Sequence, residues 1–190
     1  MTAIIGWIDE EEDKVWVGAD SAGSDGELSF IRSDSKVFQA GEFLIGGAGS
    51  FRMIQLLRYG LTEENKGLAH LKIPKSCKDL QMFMVQKFIP LVKDVFEKGC
   101  YLTKIEGVDS MDGEFIVGVR NKIFSVDSDF QVGGYENYMA IGSGNHLCLG
   151  ACKLAWDAGY PAEEAIREAL EAASFFGMGV DKPFILINNG

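Results

Sequence analysis

Thr2-Ala3-Ile4-Ile5-Gly6-Trp7-Ile8, then Asp9-Glu10-Glu11-Glu12-Asp13, then Lys14-Val15-Trp16-Val17-Gly18-Ala19 is the stretch that decides the architecture. Residues 3–8 are almost wholly apolar and predict a buried strand that begins next to Met1. Five acids in a row cannot enter a core without partners, so residues 9–13 predict a solvated hairpin turn. Residues 14–19 predict the returning strand. A central β-hairpin is thus expected at the start of the chain.

Outward from this hairpin, Asp20 to Gly26 is rich in turn formers and predicts a loop. Short strands are expected at 28–32, 36–39 and 42–45. Gly46-Gly47-Ala48-Gly49 predicts a break, after which the period becomes helical: Phe51, Ile54, Leu57 and Leu61 recur at three to four residues behind Ser50, a suitable N-cap. Residues 65–76 predict a loop. A second helix is expected from Cys77 to Lys98, kinked or split at Pro90. Strands return at 113–120 and 122–127, joined by a tight turn at Arg120-Asn121, and again at 138–141, closing on Gly142-Ser143-Gly144. Helices are expected at 145–158 and from Pro161 to Phe175, the latter with Pro at its first position and Glu163 and Glu164 in its first turn. A final strand is expected at 184–187. The order is strands, two helices, strands, two helices, strand. Two sheets held between two helix layers would bury every apolar face, within a single domain spanning 1–190.

Composition narrows the function. The 190 residues are 47% hydrophobic and 24% charged, as in a soluble globular domain, and the net charge of −10 with no basic stripe argues against nucleic acid and against a membrane surface. No apolar run approaches bilayer length and no basic leader precedes a signal-like core, so a cytoplasmic protein is expected. Cys77, Cys100, Cys148 and Cys152 form no C-x-x-C pair and have only His70 and His146 for company. They read as small buried hydrophobes in a reducing compartment, with Cys148 and Cys152 on one helix face.

Several pieces together resemble the proteasome β subunits and the HslV-type peptidases, which are N-terminal-nucleophile (Ntn) hydrolases. They are Thr2 directly after Met1, Gly18-Ala19-Asp20-Ser21, Ser35-Lys36-Val37-Phe38, Gly46-Gly47-Ala48-Gly49, Ala140-Ile141-Gly142-Ser143-Gly144, and the helix from Glu163 to Ala173. The likeness runs over nearly the whole chain. It implies an α+β fold, the four-layer αββα sandwich of two antiparallel sheets between two helix layers. It also implies a threonine-type peptidase with Thr2 as nucleophile, Asp20 and Lys36 as its charged partners, a Gly46 N–H as oxyanion donor and Ser143 beside the terminal amine. The family's frequent Asp in the last helix-to-strand loop has no counterpart: Gly177 falls there, and Asp181 is displaced by several residues.

The chemistry of such a site is self-consistent. A Thr hydroxyl needs a base, and an N-terminal Thr carries one, since its own α-amine titrates at about 7.7–8.0. A mid-chain Thr has an amide instead, so Met1 must be removed. Lys36 favours proton loss from the neighbouring amine and hydroxyl. Acyl transfer by this route needs neither metal nor organic cofactor. Leu44 and Ala48 flank the expected oxyanion turn and are expected to line the specificity pocket, favouring an apolar side chain. The resemblance further implies a peptide or unfolded-protein substrate, a homo-oligomer that closes into a ring, and an ATP-dependent unfoldase partner. A non-catalytic assembly subunit and an Ntn amidase acting on a small molecule are the alternatives.

Overall fold

A computed structural model describes residues 2–24, 27–61, 67–68 and 71–190. Met1, residues 25–26 of the loop expected after Asp20, and residues 65, 66, 69 and 70 of the loop expected at 65–76 lie outside the described residues.

The opening hairpin is present as β1 (Ile4–Asp9) and β2 (Lys14–Ala19), paired from Ile4↔Ala19 to Asp9↔Lys14. It forms the centre of a four-stranded antiparallel sheet. β12 (Tyr138–Ile141) flanks β1, and β13 (Ile185–Asn188) flanks β2. A five-stranded antiparallel sheet has the order β11 (Val132–Tyr135), β10 (Lys122–Val126), β9 (Gly113–Val119), β6 (Phe43–Gly49), β5 (Val37–Ala40). The register Lys122↔Val119 leaves Arg120 and Asn121 as a two-residue turn, with Arg120 at φ 54°.

Alternation at period two divides the apolar residues. In β1, Ile5 and Trp7 pack with α4 (Asn145–Asp157) and α5 (Ala162–Phe176), around Cys148, Ile166 and Leu170. Ile4 and Ile8 join Val15 and Val17 of β2 and Leu44, Ile116 and Ile123 of the other sheet in a core shared by the two sheets. In β6, Phe43 and Ile45 pack instead with α1 (Phe51–Gly60), α2 (Leu80–Phe83) and α3 (Ile89–Lys98). Cys148 and Cys152 are fully buried on one face of α4, and burial pushes both thiols up to about 12, which keeps them as inert hydrophobes. Cys100, expected inside, is exposed at a left-handed turn.

Other departures have physical causes. The helix expected over 77–98 opens with a 3-10 turn at Cys77–Asp79 and passes through a π turn at Met84–Phe88 just before Pro90, which sits in the first turn of α3. The wider turn relieves the lost N–H and the ring clash that an interior proline imposes. Pro161 is the cap of α5 rather than its first residue. The loop expected at 20–26 contains β3 (Ala22–Ser24), paired with β4 (Ser29–Ile31). β7 (Thr103–Ile105) and β8 (Val108–Ser110) form an exposed hairpin that periodicity did not predict, closed by Glu106 and Gly107 at φ 52° and 85°. The Gly46–Gly49 break does not occur: β6 runs through it.

Candidate active site

The register of the opening hairpin positions the first residues. Beyond Ile4↔Ala19, the Asp20 N–H donates to the Ala3 carbonyl at 3.3 Å, so Thr2 and Ala3 lie against the end of β2. The Asp20 carboxylate is held by backbone: Oδ1 accepts from Ala3 N–H at 2.9 Å and Oδ2 from Ala22 N–H at 2.9 Å. Lys36 enters from the other sheet. It immediately precedes β5, and its carbonyl accepts from Gly47 N–H at 3.0 Å. Its Nζ donates to Asp20 Oδ1 at 2.8 Å and to Thr2 Oγ1 at 3.0 Å.

Lys36 is 2% exposed and Asp20 1% exposed. Two charges this deep lose several kcal/mol of hydration each, which their attraction offsets only with good geometry and further hydrogen bonds. Both conditions hold here. Burial nonetheless pushes the Lys36 ammonium below the usual lysine range, with Asp20 opposing the shift and Arg32 adding to it. The pair is therefore not a surface ion pair: it is buried, and its ammonium also reaches the Thr2 hydroxyl.

The turn after β12 completes the anchoring of Thr2. Thr2 N–H donates to Ser143 Oγ at 3.1 Å, and Gly144 N–H donates to the Thr2 carbonyl at 3.1 Å. Gly142 has φ +88°, and a Cβ there would collide with the Thr2 carbonyl oxygen. Gly142→Ala is expected to cost about 1–3 kcal/mol, lowering the thermal midpoint by roughly 2–4 °C per kcal/mol. Calorimetry checks this. The same variant displaces Thr2, so activity measured well below the new midpoint should fall as well.

Of the residues anticipated from sequence, the structure thus brings Thr2, Asp20, Lys36 and Ser143 together. Gly46 is a correction. The bond from Gly47 N–H to Lys36 sets the alternation in β6, so odd-numbered residues bond toward β5 and even-numbered residues toward β9. Gly46 therefore spends its N–H on Ile116, and a Cβ on it would meet Ile4 at 2.6 Å in the core between the sheets. Gly49 is the next odd residue. It ends β6 at φ +108°, and the alternation directs its N–H to the β5 side, where β5 has no residue to pair with it. Leu44 is a second correction: it is fully buried in that same core, because its position on β6 has the parity of Gly46.

Thr2 opens into a cavity of ≈ 540 Å³. Ala48, Gly49, Phe51, Glu114, Asp127 and Ser143 are among its walls, and Leu44 is not. Sequence reasoning missed Gly49 and Glu114. Gly49 had a local signal, since it directly precedes the Ser50 cap and so marks where the strand must end. Asp181 bounds a different cavity with Phe30, Phe175 and Lys182, and its carbonyl accepts from Ser21 N–H at 3.0 Å.

BPH from Thiobacillus denitrificans, in a structure with epoxomicin, superposes with a TM-score of 0.76 at 20% identity, covering 98% of this chain and 97% of that one. HslV from Trypanosoma brucei superposes with a TM-score of 0.67 at 18% identity, covering 98% of each chain. The chain has the HslV-type fold. A second structure of Thiobacillus denitrificans BPH gives 0.75 at 20% identity, covering 99% of this chain and 97% of that one. No protein-family model matches the chain, and no curated protein does. Within this HslV-type fold, Thr2 and Asp20 come from the four-stranded sheet side and Lys36 from the five-stranded side. Among the described residues no helix is long and apolar enough to cross a membrane.

Proposed function

We propose that the chain is a threonine-type peptidase, a single Ntn-hydrolase domain over 1–190 with the four-layer αββα arrangement, acting once Met1 is removed. The observation that carries this reading is the Lys36 ammonium, buried, 3.0 Å from Thr2 Oγ1 and 2.8 Å from Asp20. The Thr2 nitrogen, an amide while Met1 is attached, becomes the base on release. Thr2 Oγ1 attacks a peptide carbonyl and its proton passes to the α-amine. Lys36 stabilises the developing oxyanion character of the hydroxyl. The Gly49 N–H meets the carbonyl oxygen of the tetrahedral intermediate. The amine then gives its proton to the leaving nitrogen, and water hydrolyses the Thr2 ester by the reverse relay. Asp20 fixes Lys36, and Ser143 fixes the nitrogen of residue 2.

The substrate class is peptide or unfolded protein. Homo-oligomeric assembly into a ring, a cytoplasmic setting and an ATP-dependent unfoldase belong to the same proposal. The test is hydrolysis of a panel of fluorogenic peptides by protein whose first residue is Thr2. Release of fluorophore by that form, and none by the form that keeps Met1, supports the reading; equal rates from both forms contradict it.

The pH profile follows from the two charged groups. The amine must be neutral to accept a proton, so activity rises with pH through an ionisation near ~8. Lys36 must be charged, so activity falls as pH rises through its ionisation. Because burial lowers that ionisation, the falling limb should lie below the ~10.4 of an ordinary lysine. A kcat/KM profile from pH 5 to 11 should be bell-shaped and narrow.

A further inference from the structure

Glu114 is a wall residue of the Thr2 cavity that the proposed chemistry leaves unused. It belongs to β9, in the sheet that does not carry Thr2, yet its Oε1 accepts the Gly142 N–H at 2.9 Å. That bond ties it to the turn whose next residue, Ser143, accepts from Thr2 N–H. The carboxylate is therefore fixed in place beside the nucleophile rather than sweeping through solvent. No lysine or arginine lines the cavity among the described residues, and the second charged wall residue, Asp127, is also an acid. The nearby cations are each paired with an acid: Lys36 with Asp20, and Arg32, which stacks on the wall residue Phe51 at 3.8 Å from its ring centroid, with Asp34 at 2.5 Å. Glu114 has no cationic partner among the described residues.

We propose that Glu114 is a specificity-determining residue, selecting a substrate with a basic side chain next to the scissile bond. This rests on the peptidase reading of the same cavity and replaces the apolar preference expected from Leu44 and Ala48. A fixed carboxylate in a concave site lined by no cation attracts a lysine ammonium or arginine guanidinium more strongly than a mobile surface acid does. It equally disfavours an acidic side chain, by like-charge repulsion.

The experiment compares acetyl-capped fluorogenic peptides that differ only in lysine, norleucine or glutamate before the cut, so the side chain is the sole variable charge. Protein starting at Thr2 should favour lysine over norleucine by about tenfold or more in kcat/KM, an effect of at least ~1.4 kcal/mol, with glutamate poorest. In Glu114→Gln the amide oxygen still accepts from Gly142, but the charge is gone. The lysine-to-norleucine ratio should fall toward one, mainly through a higher KM for the lysine peptide. In the unaltered protein the same ratio should shrink as salt is raised, a readout that needs no variant. Equal or better cleavage of norleucine, or a ratio that survives either Glu114→Gln or high salt, overturns the inference while leaving the peptidase intact. A chain starting at Thr2 that cleaves none of the peptides overturns the peptidase reading, and this inference with it.

Discussion

Lys36→Met is expected to abolish hydrolysis and to destabilise the fold by about 3–5 kcal/mol. The change leaves the Asp20 carboxylate, 1% exposed, with two backbone N–H donors and no counter-charge. It also removes the ammonium that donates to both Thr2 Oγ1 and Asp20. For a chain of this length the thermal midpoint should drop by roughly 6–20 °C. Adding Asp20→Asn removes the stranded charge while retaining an acceptor for the Ala3 N–H, so part of the midpoint should return. Activity should not return. Calorimetry of the single and double variants measures both statements, and a Lys36→Met protein as stable as the parent would show that the pair contributes little.

Thr2→Ala separates chemistry from stability in the opposite sense. The hydroxyl accepts from Lys36, and Lys36 keeps Asp20 when that hydroxyl is lost. Residue 2 is also only partly buried. Stability should change by less than about 1 kcal/mol, with the backbone bonds from Gly144 and to Ser143 preserved. Hydrolysis should fall to background, on the order of 10⁶ below the parent if the loss matches removal of a serine-hydrolase nucleophile. Thr2→Ser keeps the oxygen and should retain measurable turnover. Steady-state kinetics on the three proteins, with their midpoints recorded together, distinguishes a nucleophile from a residue that merely packs.

Much of this arrangement was legible before the fold was described, for identifiable reasons. The opening hairpin declared itself through an apolar run, an acidic turn and a second apolar run, and its register alone sets Asp20 against Ala3. Lys36 came from the resemblance and not from pattern, since a lysine at a strand start reads as a surface residue until the opposing sheet is placed. Gly46 and Leu44 were misplaced through one error: four residues with three glycines read as a break, while pairing on both flanks keeps β6 extended to Gly49. Moving the strand end by three residues changes which N–H is released, because hydrogen-bonding direction alternates along a strand. Glu114 could not be found from sequence, because its partner Gly142 is 28 residues away and on the other sheet's turn.

The central claim is that one residue supplies a nucleophilic hydroxyl and a free amine within reach of Lys36. An epoxyketone such as epoxomicin requires both groups on one residue, so intact mass spectrometry after its addition measures that claim directly. The account predicts that protein lacking Met1 gains the mass of one inhibitor molecule, located to Thr2 by peptide mapping, and that Thr2→Ala gains none. An unmodified chain confirmed to begin at Thr2, or an adduct that persists in Thr2→Ala, would contradict it.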